Sequence, residues 1–152
     1  MPAPIQLTST AFAQGQPIPK KHTGEGADVS PPLAWAGAPA GAKAFALLVD
    51  DPDAPVGDWV HWLLYNIPAT TSALKEGVTP KDAAGTDGKN SWGKIGYRGP
   101  MPPPGKAHRY FFKLYALDAD LALPPGLTKK EFLQKIDGHV LAEGQLMGTY
   151  KR

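Results

Sequence analysis

Two stretches of the chain carry side chains whose types and spacing could do chemistry. Asp51-Pro52-Asp53-Ala54-Pro55 is followed closely by His61-Trp62, and Gly96-Tyr97-Arg98-Gly99-Pro100-Met101-Pro102-Pro103-Pro104-Gly105 leads into His108-Arg109-Tyr110. Each joins a proline-stiffened turn to a histidine at or near the start of an apolar run. Histidine is the side chain most easily tuned to carry charge near neutral pH. If His61 and His108 meet in space, the fitting visitor is a small anion, phosphorylated or carboxylate. Asp51 directly follows an apolar run and could orient an imidazole. Asp53, two residues on, could point the same way in an extended segment, but reads better as a turn residue accepting amide hydrogen bonds. Pro52 and Pro55 restrict this turn, and either could occupy a cis bond. Among residues 100–104, Met101 alone keeps a backbone N–H that could join an anion-binding nest. A single histidine in an aromatic-rich strand is usually a satisfied core residue. It is the company of Asp51 and the proline loops that makes His61 and His108 a candidate pair, whereas His22 and His139 lack such company and read as structural or surface.

Several familiar chemistries are excluded by spacing. Gly99 to Lys106 has one residue too many for a phosphate-binding P-loop, Ala107 stands where the metal-binding hydroxyl should be, and a strand pattern follows. None of Ser9, Ser30, Ser72 and Ser91 sits in a Gly-x-Ser-x-Gly elbow. There is no His-Glu-x-x-His pair, and Gly24-x-Gly26 lacks the third glycine of a dinucleotide fingerprint. Two histidines and a carboxylate are also the donor set of a facial-triad iron site. The usual short spacing is missing, however, so metal ranks below anion. Glycosidase chemistry needs carboxylates flanking a sugar, which neighbours in one proline-rich turn do not do. With no evident nucleophile, metal or cofactor motif, the expectation is a protein that is not an enzyme and needs no cofactor.

The elements that must position these groups read mostly as strands. Ala44 to Val49 is continuously apolar and suits a central strand covered on both faces. Trp59 to Ile67 alternates, with Val60, Trp62 and Leu64 on one face and His61, Leu63 and Tyr65 on the other. His108 to Leu117 is rich in strand-forming Tyr and Phe, with His108, Tyr110, Phe112 and Leu114 sharing a face. Shorter strands are expected around Ile5 to Phe12 and Gly144 to Tyr150. One helix is well signalled: Thr128-Lys129-Lys130-Glu131 is a capping box, Phe132, Leu133 and Ile136 form an apolar stripe, and Gly138 is a natural stop.

At 152 residues, 42% hydrophobic and 20% charged, the chain reads as one domain over 1–152 with a real core. A net charge of +2 without basic runs speaks against a nucleic-acid groove. The seventeen prolines and seventeen glycines punctuate apolar runs instead of clustering, which indicates many turns, not disorder. With no cysteine there are no disulfides or thiolate sites. The start, Met1-Pro2-Ala3-Pro4, lacks a signal-peptide pattern, and no apolar run is long enough to cross a bilayer. A cytoplasmic location is therefore expected.

The chain resembles the phosphatidylethanolamine-binding protein family, also called the Raf-kinase-inhibitor family, and its compact bacterial branch in particular. The resemblance rests on Ser30-Pro31-Pro32-Leu33-Ala34-Trp35, Asp51 to Pro55, His61-Trp62, Gly96 to Gly105, His108-Arg109-Tyr110, and the ending Gly138 to Glu143 with Gly148-Thr149-Tyr150. It implies a mostly β fold, with a large antiparallel sheet, a smaller second sheet and one or two short peripheral helices. It also implies a cavity for phosphate, acetate-like anions or phosphorylated head groups, lined by Asp51, Ala54, His61, Met101, Pro103, His108 and Tyr110. Two departures stand out: the stretch from Pro55 to His61 is short, and the long C-terminal helix of eukaryotic members is absent. The resemblance thus implies a non-catalytic binding protein for a phosphorylated group such as phosphoethanolamine. An alternative is a regulator of a protein kinase or protease acting through the pocket rim. An exposed tryptophan among Trp35, Trp59, Trp62 and Trp92 would mark a homodimer face.

Overall fold

The computed structural model describes residues 4–152. Strands β3 (Ala44–Asp51), β4 (Trp59–Pro68), β7 (His108–Leu117) and β8 (Val140–Tyr150) make most of a five-stranded antiparallel sheet, completed by β6 (Thr86–Asp87) in the order β6-β4-β3-β7-β8. A smaller antiparallel sheet contains β1 (Gln6–Thr8), β2 (Leu33–Ala36) and β5 (Ala73–Leu74), in the order β1-β2-β5. The one α-helix among the described residues, α1 (Lys129–Ile136), accompanies two single-turn 3₁₀ helices at Lys20–His22 and Pro80–Asp82. The fold is therefore mostly β with two antiparallel sheets, as the sequence indicates.

Strand β3 is the spine. All eight of its residues are buried, which explains its unbroken apolar run. Its side chains divide between two cores. Phe45, Leu47 and Val49 face the small sheet and pack with Leu7, Leu33, Trp35 and Leu74. Ala46 and Leu48 face the other way, towards Phe132 and Ile136 of α1 and the Leu123–Leu127 segment. On β7 the same split puts Tyr110, Phe112 and Leu114 on the small-sheet side, in the alternation read from sequence.

Strand β4 departs from simple alternation. Val49 pairs with Trp62 but Asp50 pairs with Val60, so His61 is an extra, bulged residue. A bulge leaves one residue unpaired and resets the side-chain parity on either side of it. Val60 consequently joins Leu63 and Tyr65 on the helix side, whereas Trp62 and Leu64 lie on the small-sheet side. His61 does not share a face with Leu63 and Tyr65, as strict alternation requires; it packs edge-on against Tyr110, 5.1 Å between ring centroids. The bulge aims the imidazole at the small-sheet side.

Other differences are local. Strand β1 stops at Thr8, short of Phe12, because the Ser9 hydroxyl accepts the Ala11 amide in a turn. Strand β8 begins earlier than Gly144, since its pairing with β7 runs from Tyr150↔His108 to Val140↔Leu117. The capping box forms as expected, with the Thr128 hydroxyl accepting the Glu131 amide and the Glu131 carboxylate accepting the Thr128 amide. In this short helix Phe132 and Ile136 are buried but Leu133 points outward. All peptide bonds among the described residues are trans, those preceding Pro52 and Pro55 included. Also among the described residues, no helix is long and apolar enough to cross a membrane.

Candidate functional site

At one end of the large sheet, the turn after β3, the bulge of β4 and the start of β7 enclose a cavity of about 290 Å³. All seven residues singled out in the sequence line it: Asp51, Ala54, His61, Met101, Pro103, His108 and Tyr110. Pro55, Val56, Trp59, Trp92 and Pro102 line it as well. The floor is polar and the lip is apolar, with Val56 77% and Met101 44% exposed.

Asp51 is 3% exposed, yet both carboxylate oxygens are satisfied. His108 Nδ1 donates to Oδ2 at 2.7 Å, and the Asp53 amide donates to Oδ1 at 2.7 Å. A buried carboxylate needs such partners, because desolvating it unpaired costs far more than the fold can absorb. The bond also assigns a tautomer: neutral His108 carries its proton on Nδ1 and leaves a lone pair on Nε2.

His61 repeats the arrangement with a neutral partner. Its Nδ1 lies 2.7 Å from the Arg98 carbonyl oxygen, and the Arg98 amide donates back to the His61 carbonyl at 3.0 Å. The ring is clasped edge-on between Tyr110 and Trp92, both at 5.1 Å. Burial pushes the imidazole below its ordinary pKa, partly opposed by the Arg98 carbonyl and the Asp51 charge. A neutral His61 with its proton on Nδ1 again presents an unpaired Nε2. Tyr110 also stacks on His108, 6.5 Å between ring centroids. Burial, then the nearby Asp51 and Asp53 charges, push the Tyr110 phenol well above its usual pKa. It stays protonated as an O–H.

Asp53 does not line the cavity. It was expected to accept amide bonds within its own turn, but its partner lies across on β7. It accepts the Arg109 amide and forms a two-pronged pair with the Arg109 guanidinium, each contact 2.9 Å. The β3–β7 pairing, in which Asp50 faces Phe111, carries Arg109 past the end of β3 to that position. Arg109 holds the Asp53 carboxyl at a pKa of about 2. The Gly99 amide is likewise not available to an anion, because it donates to the Asp28 carboxylate at 2.7 Å. The Met101 amide has no protein acceptor among the described residues.

Sequence reasoning missed two tryptophans of the lining, Trp59, which stands in the strand beside His61, and Trp92. The signal for Trp92 was Asn90, a buried residue whose Oδ1 accepts the Trp92 and Lys94 amides and whose Nδ2 donates to the Gly96 carbonyl. An Asn nucleating a turn in this way is readable in principle. Ser91 docks that turn on β4 at Val60, one residue before the bulge. Of the remaining histidines, His22 is buried with Nδ1 2.9 Å from the Val29 carbonyl oxygen, and His139 pairs with Asp118 at the surface. Among the described residues no three His, Asp or Glu groups are placed to hold a metal ion together.

The geometry can be set beside known proteins. The family model described as phosphatidylethanolamine-binding protein matches residues 8–151. A UPF0098 protein of Methanothermobacter thermautotrophicus is 46% identical over 151 residues, covering 97% of this chain and 99% of the relative. A UPF0098 protein of Chlamydia trachomatis serovar D is 44% identical over 153 residues, with the same coverages of 97% and 99%. Among solved structures, a phosphatidylethanolamine-binding protein homolog from Chlamydia trachomatis superposes with a TM-score of 0.92 at 44% identity, covering 98% of both chains. Escherichia coli YbcL, described as a new member of the mammalian family, gives 0.91 at 32% identity and covers 99% of both.

Proposed function

The chain belongs to the phosphatidylethanolamine-binding protein family, and on that premise we propose that it is a non-catalytic binding protein whose cavity takes a small oxyanion, phosphate or a phosphorylated head group such as phosphoethanolamine. One observation carries the reading. His61 and His108 line one small cavity, each with Nδ1 tied to the protein and Nε2 left for a visitor. Ring orientation is thus set before any ligand arrives, which lowers the ordering cost of binding. The volume of about 290 Å³ sits at the small end of ligand pockets, roughly 300–1,000 Å³, and suits a head group better than a whole lipid.

A second reading, regulation of a protein kinase or protease through the rim, draws on the exposed Val56 and Met101 at the lip. The deciding experiment is calorimetric titration with phosphate and O-phosphoethanolamine, comparing wild type with a folded His61→Ala/His108→Ala double variant. Binding by the wild type alone is expected. Equal binding by both proteins, or by neither, would discard the pocket and leave the rim reading.

A further inference from the structure

The charge inventory of the cavity is unusual for an anion site. Its lining holds one carboxylate, Asp51, two imidazoles and, among the described residues, no lysine or arginine. Arg109, adjacent in sequence to His108, is engaged with Asp53. With both rings neutral the floor therefore offers a negative charge and two nitrogen lone pairs. A fully ionised dianion meets repulsion from all three. An oxyanion that carries its own hydroxyl instead brings a proton to a waiting acceptor and a single charge to the remaining donors.

Resting on the anion-pocket reading, we propose that His61 is the specificity-determining residue of this cavity, selecting a monoanion that bears one acidic hydroxyl (a hydrogen-phosphate, phosphomonoester or phosphonate group) over a fully ionised oxyanion such as sulfate. The P–OH donates to His61 Nε2. The remaining oxygens accept from the Met101 amide and from the Tyr110 hydroxyl. Burial keeps the His61 imidazole an acceptor, outweighing the Arg98 and Gly99 carbonyls and the Asp51 and Asp28 charges, which favour its protonated form. Asp51 faces it from β3, Tyr110 and His108 from β7, Trp92, Arg98 and the Gly99 backbone from the 90–99 segment, and Asp28 acts on it from the loop before β2. No protein donor satisfies Nε2, and burial opposes giving that nitrogen a proton of its own.

Sites built to hydrogen-bond a hydroxyl reject analogues that lack it, because a buried polar group is then left unpaired. Sulfate has the shape of phosphate but carries no proton near neutrality, so it isolates that term. The test is calorimetry of the full chain with inorganic phosphate, O-phosphoethanolamine and sulfate at about pH 6 and about pH 8. A phosphomonoester loses its second proton near pH 6. Phosphate should bind at least about tenfold tighter than sulfate at the lower pH, the factor that one lost hydrogen bond of about 1.4 kcal/mol represents. A folded His61→Gln variant, whose amide can turn its NH₂ to the ligand, should narrow that ratio. Tighter binding of O-phosphoethanolamine than of phosphate would assign the head group, and the reverse order free phosphate. Equal affinity for phosphate and sulfate in the wild type overturns the proposal while sparing the anion pocket. Failure of all three ligands removes the pocket reading and this inference with it.

Discussion

Replacing Asp51 by Asn changes one atom and should flip a proton elsewhere. In the wild type the carboxylate accepts twice, from the Asp53 amide at Oδ1 and from His108 Nδ1 at Oδ2, both at 2.7 Å. Asparagine has one acceptor oxygen and one NH₂. The Asp53 amide cannot change its donor character, so the side-chain oxygen stays with it and the NH₂ is left facing His108 Nδ1. Two N–H groups cannot share that contact, and neutral His108 must move its proton to Nε2. The charge-assisted bond, roughly 1.5–3 kcal/mol, is replaced by a neutral one of roughly 0.5–1.5 kcal/mol, a net loss of about 1–1.5 kcal/mol. In a chain of this length that lowers Tm by roughly 2–6 °C, at about 2–4 °C per kcal/mol. Nitrogen-15 NMR of the imidazole reads the tautomer directly, Nδ1–H in wild type and Nε2–H in the variant. Sulfate affinity should rise, since a carboxylate leaves the cavity and an N–H enters it. Unchanged stability together with an unchanged tautomer would refute the assignment of Asp51 as the residue that orients His108.

Two further outcomes follow from the same geometry. His61 is 3% exposed and its pKa is lowered by burial. Below about pH 6.5 the unfolded chain therefore binds the proton more readily than the native one, and stability falls as pH drops, by up to about 1.4 kcal/mol per pH unit. Urea midpoints between about pH 5 and 7.5 should show that slope in wild type and a flatter one in His61→Asn, and identical slopes would contradict it. That range leaves Asp53 ionised, since Arg109 holds it at about 2. Gly99→Ala would put a Cβ 2.0 Å from the His22 carbonyl oxygen and 2.7 Å from Asp28 Oδ1. The first neighbour is backbone and cannot swing aside, so a loss of about 1–3 kcal/mol is expected. Thermal unfolding checks it, and a variant as stable as wild type would show that the Pro100–Met101 wall is not held where the structure has it.

What was legible in the sequence divides along physical lines. The unbroken apolar run of β3, the aromatic alternation of β7 and the Thr128/Glu131 cap were readable because each is a local pattern with one low-energy outcome. So was the grouping of Asp51, His61 and His108, through the resemblance of their motifs. The orientation of His61 was not, although its place in the lining was. Strict alternation puts it beside Leu63 and Tyr65, and only the pairing with β3 reveals the extra residue that turns it round. Asp53 was misassigned for a similar reason, since its partner Arg109 is 56 residues away and becomes a neighbour only through the β3–β7 register. Trp92 was overlooked because the turn presenting it is organised by the side chain of Asn90, which carries no periodic signal.

The neighbours Asp50 and Asp51 show how one strand end serves two purposes. Alternation sends Asp51 to the cavity and Asp50 to the helix side, where it is buried and meets Lys113 at 3.2 Å and Lys129 at 3.1 Å. Burial raises the Asp50 carboxyl and the Asp58 charge raises it further, against the opposing pull of the two lysines. Lys129, the first residue of α1, also bonds Asp58, just before β4. The loop that carries Ala54, Pro55 and Val56 along the cavity wall is thus fastened at both ends, by Arg109 through Asp53 and by Lys129 through Asp58. Exposed ion pairs contribute little stability singly, and these two need not contribute much. Their consequence is positional: the first works from the β7 strand and the second from the far face of the sheet. A short turn clamped from two sides keeps its shape without a ligand, and a site whose hydrogen-bonding rings are already oriented needs that rigidity in its wall.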